Sequence, residues 1–209
     1  MRRLVVITLV LAGVTATNVA GAGPLLERVL LQPNQVGDGY LMSKFEQGSV
    51  VTNQVSLDLC GFRFPSERLR SGRLQVAYLH DGGVTQLSNE VVSYRGRGTQ
   101  QALTELRRAV TRCPRVAIRG PVVGAVPIAH RLTRITDARL LKPYVAVVDR
   151  NTAVVNGKRV VKWNVRVYQV RGSVLSGIYT DGRGSVAAQK RVALHAASES
   201  AKNLRQAIR

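Results

Sequence analysis

Two cysteines, three histidines, one glycine-rich turn and a concentration of arginines are the residues of this 209-residue chain with chemistry to offer. Cys60 and Cys113 are the only cysteines, so one pairing is open to them. An even count, beside the export signal read below, points to a structural disulfide. Closing a loop of 53 residues stabilises by ~4 kcal/mol on the chain-entropy model. A reactive thiol or a metal ligand would need His or Cys nearby in sequence, and neither cysteine has one.

The histidines are scattered: His80 falls at a hairpin tip, His130 in a long connection and His195 within the last helix. His80-Asp81 is two thirds of a catalytic arrangement, but no serine in a nucleophile-elbow context accompanies it. The 12 acidic residues show no close pair, which argues against a two-carboxylate hydrolase. Asp181-Gly182-Arg183-Gly184-Ser185-Val186-Ala187 superficially matches G-x-G-x-x-A, yet no second parallel strand follows to complete a βαβ unit. It reads as a strand-to-helix turn, with an anion at the helix N-terminus beside Arg183 as its remaining chemistry. The expectation is a protein that is not an enzyme and that needs no cofactor and no metal.

Charge is the stronger signal. The formal net charge is +19, and 25 of the 31 basic residues are arginine. Arginine serves bidentate phosphate and carboxylate contacts, although a GC-rich genome enriches Arg, Ala, Val and Gly alike. Arg107, Arg108 and Arg112 lie opposite the apolar stripe of a helix and, with Arg115 just beyond its end, are the candidate anion-binding residues. The plainer reading is a solvated face with favourable charge at a helix C-terminus. A second basic set, Arg159, Lys162 and Arg166, sits on or near one strand. With one Trp, three Phe and six Tyr, a base-stacking platform for nucleic acid is poorly supplied.

The elements that must position these residues begin after a leader. Met1-Arg2-Arg3 is cationic, Leu4 to Val14 is apolar, and Ala20-Gly21-Ala22 is a small-x-small site, so residues 1–22 read as a signal peptide cleaved before Gly23. The apolar run is about half of the ~20 residues needed to cross a bilayer. No cysteine near the cleavage site could carry a lipid. Residues 23–209 then form a single extracytoplasmic domain, expected to be secreted.

Within it, Pro24 to Leu31 reads as a short helix halted by Pro33. Residues 41–72 read as irregular, pinned by Cys60. Leu74, Val76 and Tyr78 open a hairpin whose second strand runs from Val84 to Tyr94, and Thr99 caps a helix to Cys113 with Ala102, Leu103, Leu106, Ala109 and Val110 on one stripe. Residues 114–142 read as a connection with one short strand. Asn156-Gly157 marks a two-residue hairpin turn, and Arg159 to Val170 alternates with period two, placing Val161, Trp163, Val165 and Val167 together. A strand from Ser173 to Thr180 and a helix from Ser185 to Ile208 complete the chain. The fold class is α+β: an antiparallel β-sheet with two main helices packed on one side and one disulfide.

Val36-Gly37-Asp38-Gly39-Tyr40, the strand end Val91-Val92-Ser93-Tyr94, Gln101-Ala102-Leu103-Thr104-Glu105-Leu106 and Cys113-Pro114 together resemble the PknH-like extracellular sensor domain family of actinobacteria. The resemblance spans about residues 25–205 and implies a sheet packed against helices with a ligand cleft, on membrane Ser/Thr kinases or on free-standing envelope proteins. Family members often carry four cysteines where this chain has two, and no functional residue of the family is defined sharply enough to transfer. The expected function is a secreted, non-enzymatic binding or sensor-like domain of the cell envelope for an anionic or small ligand. Its expected partner is an anionic envelope component or a small ligand. The alternatives are a polyanion or nucleic-acid-binding protein, an apolar-ligand carrier, and a secreted hydrolase. Intact-mass spectra of the exported protein are expected to show a chain starting at Gly23 that gains two hydrogens on reduction. An uncleaved chain with free thiols would return it to a reducing compartment.

Overall fold

The computed structural model describes residues 23–80, 84–119, 126–180 and 184–209; the proposed leader, Asp81 and Arg183 lie outside the described residues. Helices α1 (Pro24–Val29) and α2 (Pro33–Val36) open the described chain. Pro33 starts a helical turn as well as stopping one, because its missing N–H and fixed φ suit the first helical position. They are followed by strands β1 (Leu41–Lys44), β2 (Arg70–His80) and β3 (Val84–Tyr94), and helix α3 (Gly98–Arg112). Strands β4 (Ile128–Arg134), β5 (Tyr144–Val155), β6 (Lys158–Arg171) and β7 (Val174–Thr180) precede helix α4 (Val186–Ala207). The seven strands form one antiparallel sheet in the order β1-β2-β3-β7-β6-β5-β4.

The two main helices do not share one side of the sheet, as the sequence pattern suggests; they lie on opposite faces. On one face Leu74, Val76, Leu87, Val91, Ala146, Val148, Val165, Val167 and Ile178 form a core with α1 and α4. On the other, Val92, Tyr94, Val145, Val147, Tyr168, Val170 and Leu175 form a second core with Ala102, Leu103 and Leu106 of α3 and with Leu57, Leu59 and Phe64. The reason lies in the inner strands. Val145 to Val148 are buried consecutively, so successive side chains on both faces need cover.

The α4 face is stitched as well as packed. Buried Ala193, Ala196, Ala197 and Ala201 let the helix lie close to the sheet. Ser176 and Ser200 hydroxyls meet at 2.7 Å, and Gln169 Nε2 donates to Ala197 O at 2.8 Å. Ser185 caps the helix by accepting from Ala188 N. Ala187, in the first turn, is exposed. At the far end of α4, Asn203 Nδ2 donates to Val29 O and exchanges hydrogen bonds with Gln35, so the last helix closes over the first.

On the α3 face the segment between β1 and β2 is anchored by its own chemistry. Cys60 and Cys113 are bonded, with Cα atoms 5.4 Å apart, tying that segment to the C-terminal end of α3. Asn156 and Gly157, both with positive φ, make the tight β5–β6 turn that the sequence announces. The Cys60→Ala/Cys113→Ala variant is expected to lose ~4 kcal/mol in urea denaturation. An unchanged midpoint would mean that packing of Leu57, Leu59 and Phe64 on α3 holds the segment unaided.

Candidate functional site

Polar residues concentrate on the α3 face, where they cross the sheet diagonally beneath the disulfide-linked segment. Glu90 of β3 is 2% exposed and pairs with Arg73 Nε at 2.5 Å. Ser56 Oγ donates to the same carboxylate at 2.6 Å and accepts from Arg70 Nη1 at 2.8 Å. Glu67 Oε2 accepts from Ser56 N at 2.9 Å and lies 3.3 Å from Arg70 Nη2. Both arginines extend onward to the backbone: Arg73 donates to Gln47 O and Gly48 O, and Arg70 to Val51 O and Gln54 O. A segment without regular structure thereby satisfies four carbonyls through two side chains.

Burial pushes the Glu90 carboxyl above its ordinary range, with Arg73 and the Ser56 hydroxyl pulling the other way. Burial raises Glu67 likewise, against Ser56 N–H and Arg70, and its Oε1 is buried without a hydrogen-bond partner among the described residues. Tyr179 OH donates to Glu90 Oε2 at 3.3 Å. Its ring leans over Gly177, the residue paired with Glu90 across the ladder, where any Cβ would overlap the hydroxyl. Tyr168 stacks edge-on against Tyr179, and burial moves its hydroxyl up to about 12.

The diagonal continues across β6 to β4. Arg166 donates to Asp58 O and lies 3.5 Å from Asp149 Oδ2. Asp149 is fully buried and meets His130 Nδ1 at 3.0 Å. Asn151, with its amide nitrogen toward Asp149 Oδ1 at 2.7 Å, accepts from Asn164 Nδ2 at 2.6 Å. A His–Asp pair can serve as a base with its orienting acid. Cys113, the sulfur residue that lines the same cleft as His130, is bonded to Cys60.

His130 lines a cleft of about 750 Å³ at the β4 edge of the sheet, where α3 ends. Arg115, Arg131, Arg150 and Arg159 line it as well, with Val110, Cys113 and Leu132 as its apolar part. No acidic side chain lines it among the described residues. The disulfide holds the α3 side of the cleft and the β4–β5–β6 ladder holds the other. Four arginines contribute to the lining of one concavity, with the Arg150 guanidinium also 5.6 Å from the Trp163 ring, and like charges gathered there favour an anion.

Of the arginines singled out in the sequence, Arg107, Arg108 and Arg112 are exposed, as the helical stripe requires, and Arg115, past the end of α3, is exposed as well. Only Arg115 lines the cleft; Arg107 lines a neighbouring concavity of about 260 Å³ with Arg134 and Tyr144, and Arg108 and Arg112 face outward. Arg166, grouped with a basic surface in the sequence, is instead engaged inside the polar diagonal. His80 stacks on Tyr40 with ring centroids 4.8 Å apart, and His195 is exposed on α4. The arginine cleft and the Glu67–Glu90 cluster join residues far apart in sequence, so no local motif announces either. The period-two strand pairing was the available clue, since it places Arg131 opposite Arg150 once register is known.

No protein-family model matches the sequence, and no curated protein sequence matches it. Among solved structures, the fold is similar to the extracellular domain of PknH from Mycobacterium tuberculosis, with a TM-score of 0.51 and 11% identity. The match covers 85% of this chain and 95% of that one.

Arg73→Met leaves Glu90 buried without its cation and is expected to cost ~3–5 kcal/mol at neutral pH. The sign with pH follows from the raised carboxyl: its folded pKa exceeds the ordinary 4.5, so protonation favours the fold. The cost is therefore expected to shrink as pH falls through the folded value, measured by denaturant titration. A cost constant with pH would mean that lost packing, not the stranded charge, destabilises the variant.

Proposed function

We propose that the chain is a non-enzymatic, extracytoplasmic binding domain of the sensor type that receives an anionic ligand in the cleft at the β4 edge. The observation that carries this reading is the presence of Arg115, Arg131, Arg150 and Arg159 in the lining of one concavity that, among the described residues, no acidic side chain lines. Arginine's planar fork suits phosphate or carboxylate oxygens, and the exposed Arg107, Arg108 and Arg112 on α3 add long-range attraction at the approach. The sequence resemblance to PknH-like sensor domains and the fold-level likeness to an extracellular domain support an envelope location, as does the disulfide. No helix among the described residues is long and apolar enough to cross a membrane.

His130 has a positioning part in this reading. Asp149 holds its Nδ1 at 3.0 Å and so fixes the ring within the cleft lining. A hydrolytic role would require a nucleophile beside that ring; Ser56 is engaged inside the Glu90 cluster, and Thr152 is the hydroxyl residue that lines the cleft.

Calorimetric titration with inorganic tripolyphosphate tests the cleft. Arg131→Gln/Arg150→Gln/Arg159→Gln is expected to weaken binding at least about tenfold, through loss of charge-assisted hydrogen bonds. Arg107→Gln/Arg108→Gln/Arg112→Gln is expected to keep most of the affinity but to lose salt dependence. Equal losses from the two triple variants would make the interaction one of general surface charge and overturn the cleft.

A further inference from the structure

The distal half of the β5–β6 hairpin belongs to neither core. From Lys158 to Trp163 every residue of β6 is exposed, and Val154 and Val155 on β5 are exposed beside them. β7 pairs with β6 only over Arg166–Arg171, so this arm extends past the sheet body with β4 along one side. From the Arg150–Trp163 rung to the Asn156–Gly157 turn it reaches roughly 20 Å.

The arm's composition is specific. Val154, Val155, Val160, Val161 and Trp163 are all among the exposed large hydrophobic residues, at 37% exposure or more. Cations alternate with them: Lys158 stands opposite Val155 and Arg159 opposite Val154. No acidic residue occurs between Arg150 and Thr180. A protein partner covering this surface would bury unmatched cations next to the valines. At a lipid headgroup boundary the same pattern is favourable, because long cationic side chains snorkel to phosphates while their apolar neighbours enter the acyl region. Trp163 sits at the base of the arm with Arg150 5.6 Å from its ring, a placement suited to the membrane–water interface. The outer backbone edge of β6 along this arm has no ladder partner among the described strands, which limits entry to the boundary region where water still reaches it.

We propose that this hairpin arm docks the protein on an anionic lipid bilayer, with the four valines at the acyl boundary, Lys158, Arg159 and Lys162 on lipid phosphates, and Trp163 at headgroup depth. This goes beyond the anion cleft and does not rest on it: Arg159 and Arg150 belong to both, but the exposed valines and Trp163 that carry the docking line no part of the cleft.

Trp163 is the only tryptophan of the chain and therefore reports on the arm alone. The full chain is mixed with vesicles of phosphatidylcholine containing one quarter phosphatidylglycerol. The emission is expected to shift to the blue and to be quenched by brominated acyl chains, with neither change on pure phosphatidylcholine. Val154→Ser/Val155→Ser/Val160→Ser/Val161→Ser is expected to weaken partitioning roughly tenfold or more, with circular dichroism unchanged. Bound protein whose Trp163 is not quenched overturns the proposal, as does a serine variant that binds as tightly as the parent. If the variant misfolds, the quenching of the unaltered chain still decides. An equal blue shift on single-stranded DNA would make nucleic acid the arm's partner and also overturn it.

Discussion

The carboxylate of Glu90 is the constraint around which the α3 side of the molecule is organised. A charge buried in the middle of a sheet is tolerated only when it is paired and hydrogen-bonded, and here Arg73, Ser56 and Tyr179 all converge on it. The partners carry the effect outward. Arg73 and Arg70 also hold the carbonyls of residues 47–54, so a stretch with no helix or strand of its own takes a defined path across the sheet. That path brings Leu57, Leu59 and Cys60 onto α3, where they complete the second core. One buried charge thus substitutes for regular structure over a long connection.

The two faces of the sheet divide the work. The α4 face is a small-residue interface with paired serines and a glutamine locking the helix in register. The α3 face tolerates a chain of charges from Arg73 to His130 and opens at its β4 end into the arginine cleft. Such a division is physically sensible. The rigid face sets the strand spacing, and the polar face, held to that spacing, presents side chains whose geometry cannot drift.

Local signals in the sequence were sufficient for most elements. Asn156-Gly157, the alternation from Arg159 to Val170, and the stripe on α3 each correspond to what the structure shows. Cys60 and Cys113 were legible because only one pairing exists. The segment 41–72 was not, since Arg70, Arg73 and Glu90 hold residues 47–56 through their side chains and β1 exists by pairing with the distant β2. The placement of the helices was misjudged because alternation along β6 suggests one apolar face, whereas Tyr168 and Val170 show that the other is also covered. Trp163 shares a strand face with Val165 and Val167 yet is exposed, because α4 covers the sheet no farther than those two residues. The cleft was invisible for a related reason: Arg115, Arg131, Arg150 and Arg159 become neighbours only through strand order.

The closure of α4 over α1 has a temporal meaning. Asn203 reaches Val29 and Gln35 across most of the chain's length, and Leu26 and Val29 share a core with Leu204. During synthesis, therefore, one half of the molecule must wait. The α3-side core contains nothing beyond Tyr179 and can consolidate while later residues are still being made, but the α4-side core has no lid until the final helix emerges. Between the synthesis of β7 and that of α4, a nascent chain of this protein exposes one apolar sheet face, which makes that face the natural handhold for any chaperone that accompanies it.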